Sequence, residues 1–225
     1  MAYILSIDTS TSICSVALHN YGKVVAHTET FLERSHSRNI SHMVDHILNI
    51  CEVNIRSLDA IAVSAGPGSY TGMRIGTSTA KGYCFASDKP LISISSLYNL
   101  AAQLSHKQPG LFYCPMIDAR RMEVYTATFD SELNELSKEE ARILTEESFA
   151  EQLLDKKMLF GGDGSAKFQT ICNSPNALFA IGTYPSALFM GEKAFEKFEN
   201  QQFEDIAYFE PNYIKEFHTT SKMNS

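Results

Sequence analysis

Apolar residues arrive in short bursts over the first thirty positions of this chain. The runs "YILSID", "SICSVALH" and "KVVAHTETF" are separated by the hydroxyl-rich turn "TSTS" and the polar turn "NYG", which predicts three strands. From about Arg38 to Cys51 the period lengthens, and Ile40, Met43, Val44, Ile47, Leu48 and Cys51 fall on one face of a helix. "LDAIAV" then predicts a strand over 59 to 64, and the glycine-rich turn "SAGPGSYTGMRIG" opens a second helix that meets no proline up to Ala86. A short strand over 91 to 94 follows, with Ser95 or Ser96 placed to cap a helix through "LYNLAAQL".

The second half repeats this order. Strands are predicted near "LFYCPMID", "EVYTATF" and "EEARIL", a helix near "EESFAEQLLD", a strand at "KMLFG" and a helix after "GGDGS". "ALFAI" reads as another strand, and Pro185 sits at the first turn of a last helix through "SALFMGEKAFEKFE". Two β-β-β-α-β-α units therefore cover 1 to 100 and 111 to 200, with the break near "SHKQPG". The expected division is an N-terminal subdomain, 1–104, and a C-terminal subdomain, 105–225, with a polar, frayed tail beyond Phe217.

This α/β layout is that of the actin-like, heat-shock and sugar-kinase (ribonuclease H-like) architecture, in which a nucleotide binds between two duplicated halves. Each first strand there ends in an acidic residue, and small residues in the following turns admit phosphates. Asp8 with Thr9 and Ser10, at the start of the hydroxyl-rich turn, fits the first such position. The second fits badly: Asp118 is followed by Ala119, Arg120 and Arg121, bulky where backbone should approach a phosphate.

Composition narrows the classes. A net charge of −7 without a Lys/Arg cluster argues against autonomous nucleic-acid binding, which needs a basic footprint. No apolar run is long enough to span a bilayer, and "MAYILSID" reaches an aspartate at position 8, so a soluble, cytoplasmic protein without membrane contact is expected. The five cysteines, at 14, 51, 84, 114 and 172, never form C-x-x-C, so neither a disulfide framework nor a zinc site is written here.

Two features carry candidate chemistry. Gly66, Gly68 and Gly72 spell G-x-G-x-x-x-G, but Thr71 stands where a dinucleotide fingerprint needs glycine, and Met73 and Arg74 stand where a Walker A loop needs Lys and Ser or Thr. Gly72, Gly76 and Ala80 recur every four residues along one helix face. Each glycine costs about 1 kcal/mol of helix propensity, so close packing against another backbone, within the chain or on a partner, must offset it. His42 and His46 have the i, i+4 spacing of a shared metal, but Met43 replaces the glutamate of H-E-x-x-H and no third ligand is nearby in sequence. Ser69 in "GSYTG" lacks the G-x-S-x-G elbow, and no catalytic triad is named.

The segments "ILSIDTSTSICSVAL", "SAGPGSYTGMRIG", "IDARRMEVYTATF", "GGDGS" and "PNYIKEF" resemble, in order and spacing over nearly the whole chain, the TsaB (YeaZ) family. The resemblance implies a non-catalytic dimerization subunit with no catalytic or metal-binding residues of its own. It would pair with a catalytic TsaD-type paralogue and a TsaE-type ATPase that together place threonylcarbamoyl on N6 of adenosine 37 in tRNAs reading ANN codons. It implies tRNA contact only through partners, and no cofactor held by this chain alone, with ATP used by the complex near the subunit interface. By resemblance the contact falls on Ile40, Met43, Val44, Ile47 and Cys51 of the first helix and on Tyr70, Gly72, Met73, Arg74, Gly76, Thr77 and Ala80 of the second. A homodimer through the same helices is expected when the partner is absent. Asp8, Thr9, Ser10, Gly66, Gly68, Asp118, Arg120 and Gly162 become vestigial cleft positions. Lys215 departs from the family's closing P-x-Y-L-R and would meet acidic groups as a point charge. The alternatives are an ATP-dependent phosphotransferase, motivated by Asp8 and the duplication, and a glycoprotease-like metallopeptidase, motivated by the histidine pair.

Overall fold

Alternating apolar runs with polar turns become two five-stranded sheets in the computed structural model, which describes residues 1–32 and 35–215. The tail expected beyond Phe217 lies outside the described residues. In the first sheet, β1 (Tyr3–Asp8), β2 (Cys14–Asn20), β3 (Lys23–Thr30), β4 (Ala60–Ser64) and β5 (Leu91–Ile94) lie in the order β3-β2-β1-β4-β5. The second contains β6 (Phe112–Asp118), β7 (Glu123–Phe129), β8 (Glu135–Ile143), β9 (Met158–Gly161) and β10 (Ala177–Ala180), in the order β10-β9-β6-β7-β8. Strand for strand this is the same arrangement: an antiparallel three-strand meander, then two parallel strands added beside the first. The duplication read from the order of elements is thus also a duplication of topology.

The helices are α1 (His36–Ile50), α2 (Tyr70–Ser87), α3 (Ser96–Lys107), the single turn α4 (Gln152–Asp155), α5 (Ser165–Gln169) and α6 (Gly191–Glu199). β1 is buried on both faces, which is why its sequence is nearly continuous in apolar residues. Leu5 and Ile7 meet α1 and α2 on one side, where Ile40, Val44 and Ile47 are inserted. Ile4 on the other side meets Ala187, Met190 and Ala194, from a 3-10 turn (Ala187–Phe189) and α6. The sheets therefore exchange helices. α3, from the first half, buries Leu97, Leu100, Ala101 and Leu104 against Tyr113, Ile117 and Phe129 of the second sheet, while α6, from the second half, covers the first. The 104/105 boundary falls in the last turn of α3.

Three elements differ from the pattern in the sequence. The helix expected through "EESFAEQLLD" shrinks to α4, because Phe149 takes φ 61° and turns its ring into contact with Phe160 and Phe168, each at 5.4 Å between centroids. Aromatic burial there outweighs helix propensity. The last helix does not begin at Pro185 but is split into the 3-10 turn and α6, with the His19 ring packed where a side chain at Gly191 would sit. β8 starts at Glu135, four residues early, because it pairs along β7 as far as Phe129.

Candidate functional site

The glycine turn links the carboxyl end of β4 to α2, and its backbone is already engaged. Ser69 caps the helix, accepting a hydrogen bond on Oγ from the Gly72 amide at 3.2 Å and on its carbonyl from the Met73 amide at 2.8 Å. The Ser69 amide itself donates to the Ser10 carbonyl at 2.6 Å. Those amides are the donors with which such a turn holds a phosphate, and here the β1–β2 turn and the cap occupy them. Thr9 Oγ1 closes the contact by donating to the Gly72 carbonyl at 2.7 Å.

The glycine face has the same cause. A Cβ on Gly68 would collide with the Ser10 carbonyl, one on Gly72 with the Thr9 carbonyl and one on Gly76 with Thr9 Oγ1. The close neighbour is thus the chain's own β1–β2 turn, not a second helix. Met73, Thr77 and Ala80 are buried beside the stripe.

Asp8 lies at the end of β1, fully buried. It accepts on Oδ1 from the Ser10 amide at 2.9 Å and Ser10 Oγ at 2.8 Å, and on Oδ2 from Asn99 Nδ2 at 2.8 Å. Burial raises its pKa above the usual 3.8, with the Ser10, Asn99 and Ser64 hydrogen bonds opposing. Asn99, which the sequence did not single out, comes from α3 and leaves its Oδ1 without a partner. The folded state thus holds the Asp8 proton more tightly than the unfolded chain, so stability falls as pH rises from 3.8 towards the raised folded value, and stays lower above it. Asp8→Asn removes the charge, and the amide of Asn99 can turn its free oxygen to the new donor. We expect Asp8→Asn to be more stable than the parent by about 1–2 kcal/mol at neutral pH, with the gain absent near pH 3. Urea melts across that range read this out, and a less stable variant at pH 7 would show that the carboxylate's hydrogen bonds outweigh its desolvation.

The second hairpin is closed in a parallel way. The Asp118 amide donates to Asp163 Oδ1 at 2.8 Å, and Asp118 Oδ1 accepts from Lys167 Nζ at 2.8 Å and from the Arg120 amide. Burial pushes the Asp163 carboxyl up, the adjacent Asp118 charge adds to this, and the Asp118 amide and Lys167 oppose it. Arg120 and Arg121 take φ of 70° and 49° at the exposed tip, and a side chain at Gly162 would collide with the Met116 carbonyl. Gly68, Gly72 and Gly162 are thus each packed against backbone of the chain itself, while Asp118 and Arg120 stay exposed.

The partner-contact residues divide. Ile40, Met43, Val44 and Ile47 are buried in the first sheet's own core, and Cys51 packs against its edge. The apolar face of α1 is consumed inside the molecule. Ile40, Met43, Val44 and Ile47 are thus spent inside this chain, Cys51 stays half-exposed, and the face of α1 left open is the opposite one. Arg74 is exposed, its guanidinium 4.2 Å over the ring of the half-buried Tyr70. His42 and His46 are both exposed, and no three His, Cys, Asp or Glu side chains converge to hold a metal among the described residues. What the sequence reading missed is Phe85, 86 % exposed on α2, and Ile50, 64 % exposed at the end of α1. Ser78, Gly82 and Phe85 follow i, i+4, i+7 on the face opposite the stripe, and an aromatic residue off the buried stripe is the signal that was available.

The profile of the tRNA N6-adenosine threonylcarbamoyltransferase family, TsaD, matches residues 24–221 of this chain. The tRNA threonylcarbamoyladenosine biosynthesis protein TsaB of Escherichia coli K12 is 40% identical over 131 residues, 58% of this chain and 56% of that protein. The chain thus spans about half the length of the curated relatives it matches. A crystal structure from Pseudomonas aeruginosa, described as similar to peptidase YeaZ, superposes with a TM-score of 0.85 at 27% identity, covering 96% of this chain and all, 100%, of the other. An inorganic polyphosphate/ATP-glucomannokinase from an Arthrobacter strain shares the fold alone, with TM-score 0.51 at 10% identity over 89% of this chain and 100% of that one. The duplicated actin-like, sugar-kinase fold is therefore the one observed.

Proposed function

Since this chain belongs to the TsaD family and within it to the TsaB (YeaZ) proteins, we propose that it serves tRNA threonylcarbamoyladenosine synthesis as a non-catalytic subunit. It holds a TsaD-type paralogue in its active state, with a TsaE-type ATPase joining the pair, and it reaches tRNA only through them. The observation that carries this reading is the contrast between its two candidate surfaces. The Ser69, Gly72 and Met73 amides and the Asp8 carboxylate are satisfied within the chain, whereas the outer face of α1 and α2 presents Ile50 and Phe85 to solvent.

An exposed aromatic and an exposed aliphatic residue, on helices that also expose His42, Asp45, His46 and Arg74, have the make-up of a helical docking face. The engaged turn amides and the buried, hydrogen-bonded Asp8 do not favour phosphotransfer by this chain; ATP is used by the assembly, near the subunit interface. The protein acts in the cytoplasm, and no helix among the described residues is long and apolar enough to cross a membrane.

Light-scattering chromatography of the chain, alone and mixed with the catalytic paralogue from the same genome, tests the proposal. The chain alone is expected as a homodimer, replaced on mixing by a stable one-to-one species. Two unmixed peaks, or saturable ATP binding by the isolated chain that Asp8→Ala abolishes, would overturn it.

A further inference from the structure

The last described stretch, residues 203–215, has no regular secondary structure beyond one bridge, yet it is tied down at both ends. At its start the Glu204 amide donates to the Leu91 carbonyl at 2.8 Å and the Glu204 carboxylate accepts from Ser93 Oγ, both on β5 of the first sheet. Ile206 and Phe209 then pack on the first core. Asn212 makes the crossing. Its amide donates to the Ala65 carbonyl at 2.7 Å, in the glycine turn, while its side-chain Nδ2 donates to Glu139 Oε2 at 2.9 Å, on β8 of the second sheet. The other oxygen of Glu139 accepts from Ser95 Oγ, the cap of α3. Beyond it the Tyr213 ring lies 4.8 Å from that of Tyr70, and Lys215 forms an ion pair with Glu123 of β7.

The glycine turn is shaped to this crossing. Gly66 has φ 97°, which by itself favours glycine, and a Cβ there would lie 2.5 Å from Met73 Sδ and 2.8 Å from the Asn212 carbonyl oxygen. The crossing segment is thus one of two close neighbours that a side chain at 66 would push against. Between the two layers only a small cavity of about 40 Å³ is left, walled by Pro67, Met73, Tyr125 and Tyr213.

We propose that residues 203–215 form a clasp: a strap anchored on the first sheet that crosses the glycine turn and fastens to the second sheet through Asn212 and Lys215, fixing the two halves in one setting and covering the turn. Unlike α3 and the α6 segment, which pack in cores, this segment fastens to the second sheet through polar contacts at the surface, and such contacts open at lower free energy than the core they cover. Releasing it should loosen the turn and the second hairpin without melting either sheet.

Amide hydrogen exchange of the full chain tests this with two variants, Asn212→Ala and Tyr213→Ala/Lys215→Ala. In each, exchange over 65–72 and 118–123 is expected to accelerate at least tenfold, while amides in the interior of β1 and β6 keep the parent rate. Unchanged exchange at the turn would overturn the proposal, and so would a uniform acceleration over the whole chain, which would make the strap an ordinary part of one cooperative fold. Neither result depends on pairing with another protein, so failure here is distinguishable from failure of the scaffold reading.

Discussion

Gly72→Ala should lower the stability of the isolated chain by about 2–4 kcal/mol, although alanine is the better helix former. The propensity gain is about 1 kcal/mol. Against it, the new methyl would overlap the Thr9 carbonyl, a backbone atom that cannot rotate away. The β1–β2 turn would have to retreat, stretching the buried Thr9 Oγ1 bond to the Gly72 carbonyl and the Ser69 amide bond to Ser10. Each such loss costs about 1–3 kcal/mol when the group is left unsatisfied. Gly82→Ala on the same helix is the control: a Cβ there meets nothing within 4 Å, so that variant should gain about 0.5–1 kcal/mol. Urea melts of the pair decide the matter. If Gly72→Ala matches the parent in stability but fails to pair with a partner, the stripe belongs to an intermolecular contact after all.

The second large effect is expected at the outer face. The double variant Ile50→Glu/Phe85→Glu should weaken pairing with the catalytic paralogue at least a hundredfold. Truncation of a buried aromatic anchor at an interface alone costs about 2–4 kcal/mol, and two carboxylates forced into an apolar contact add a desolvation cost. The monomer, melted at a concentration too low to dimerise, should keep its stability to within about 0.5 kcal/mol, because both side chains face water in it. Val44→Ala, on the buried side of α1, should do the reverse, with a core loss of about 1 kcal/mol or more and no direct effect on the contact. Isothermal titration beside a urea melt separates the two cases. Parent-like affinity in the double variant would remove this face from the interface.

The same residues show which conclusions depend on local pattern and which on distant neighbours. Strand alternation, the cap at Ser95 and the long glycine-led helix are local properties, set by side-chain periodicity and short-range hydrogen bonds, and they were legible from the chain. So was the duplication, because the order of elements repeats and sheet topology follows from short connections. The family segments were legible for the same reason, being stretches of fixed residues at fixed spacing.

Sequence periodicity finds the face of α1 that bears Ile40, Val44 and Ile47, but a periodic apolar face says only that something covers it. Whether the cover is the chain's own sheet or another protein depends on packing in three dimensions, and here it is the sheet. The glycine stripe is equally ambiguous in one dimension, since any close backbone satisfies it, and only the fold brings Thr9 and Ser10, some sixty residues away, onto it. The Asn99 contact with Asp8 and the Asn212 crossing join positions far apart in the chain, with no local mark on either partner. The sequence by itself determined most of the elements, their duplication and the family, but not the ends of the helix before β9, of α6 or of β8. Only the tertiary structure decided which surfaces are spent and which are open, because burial is a property of neighbours that the chain order does not state.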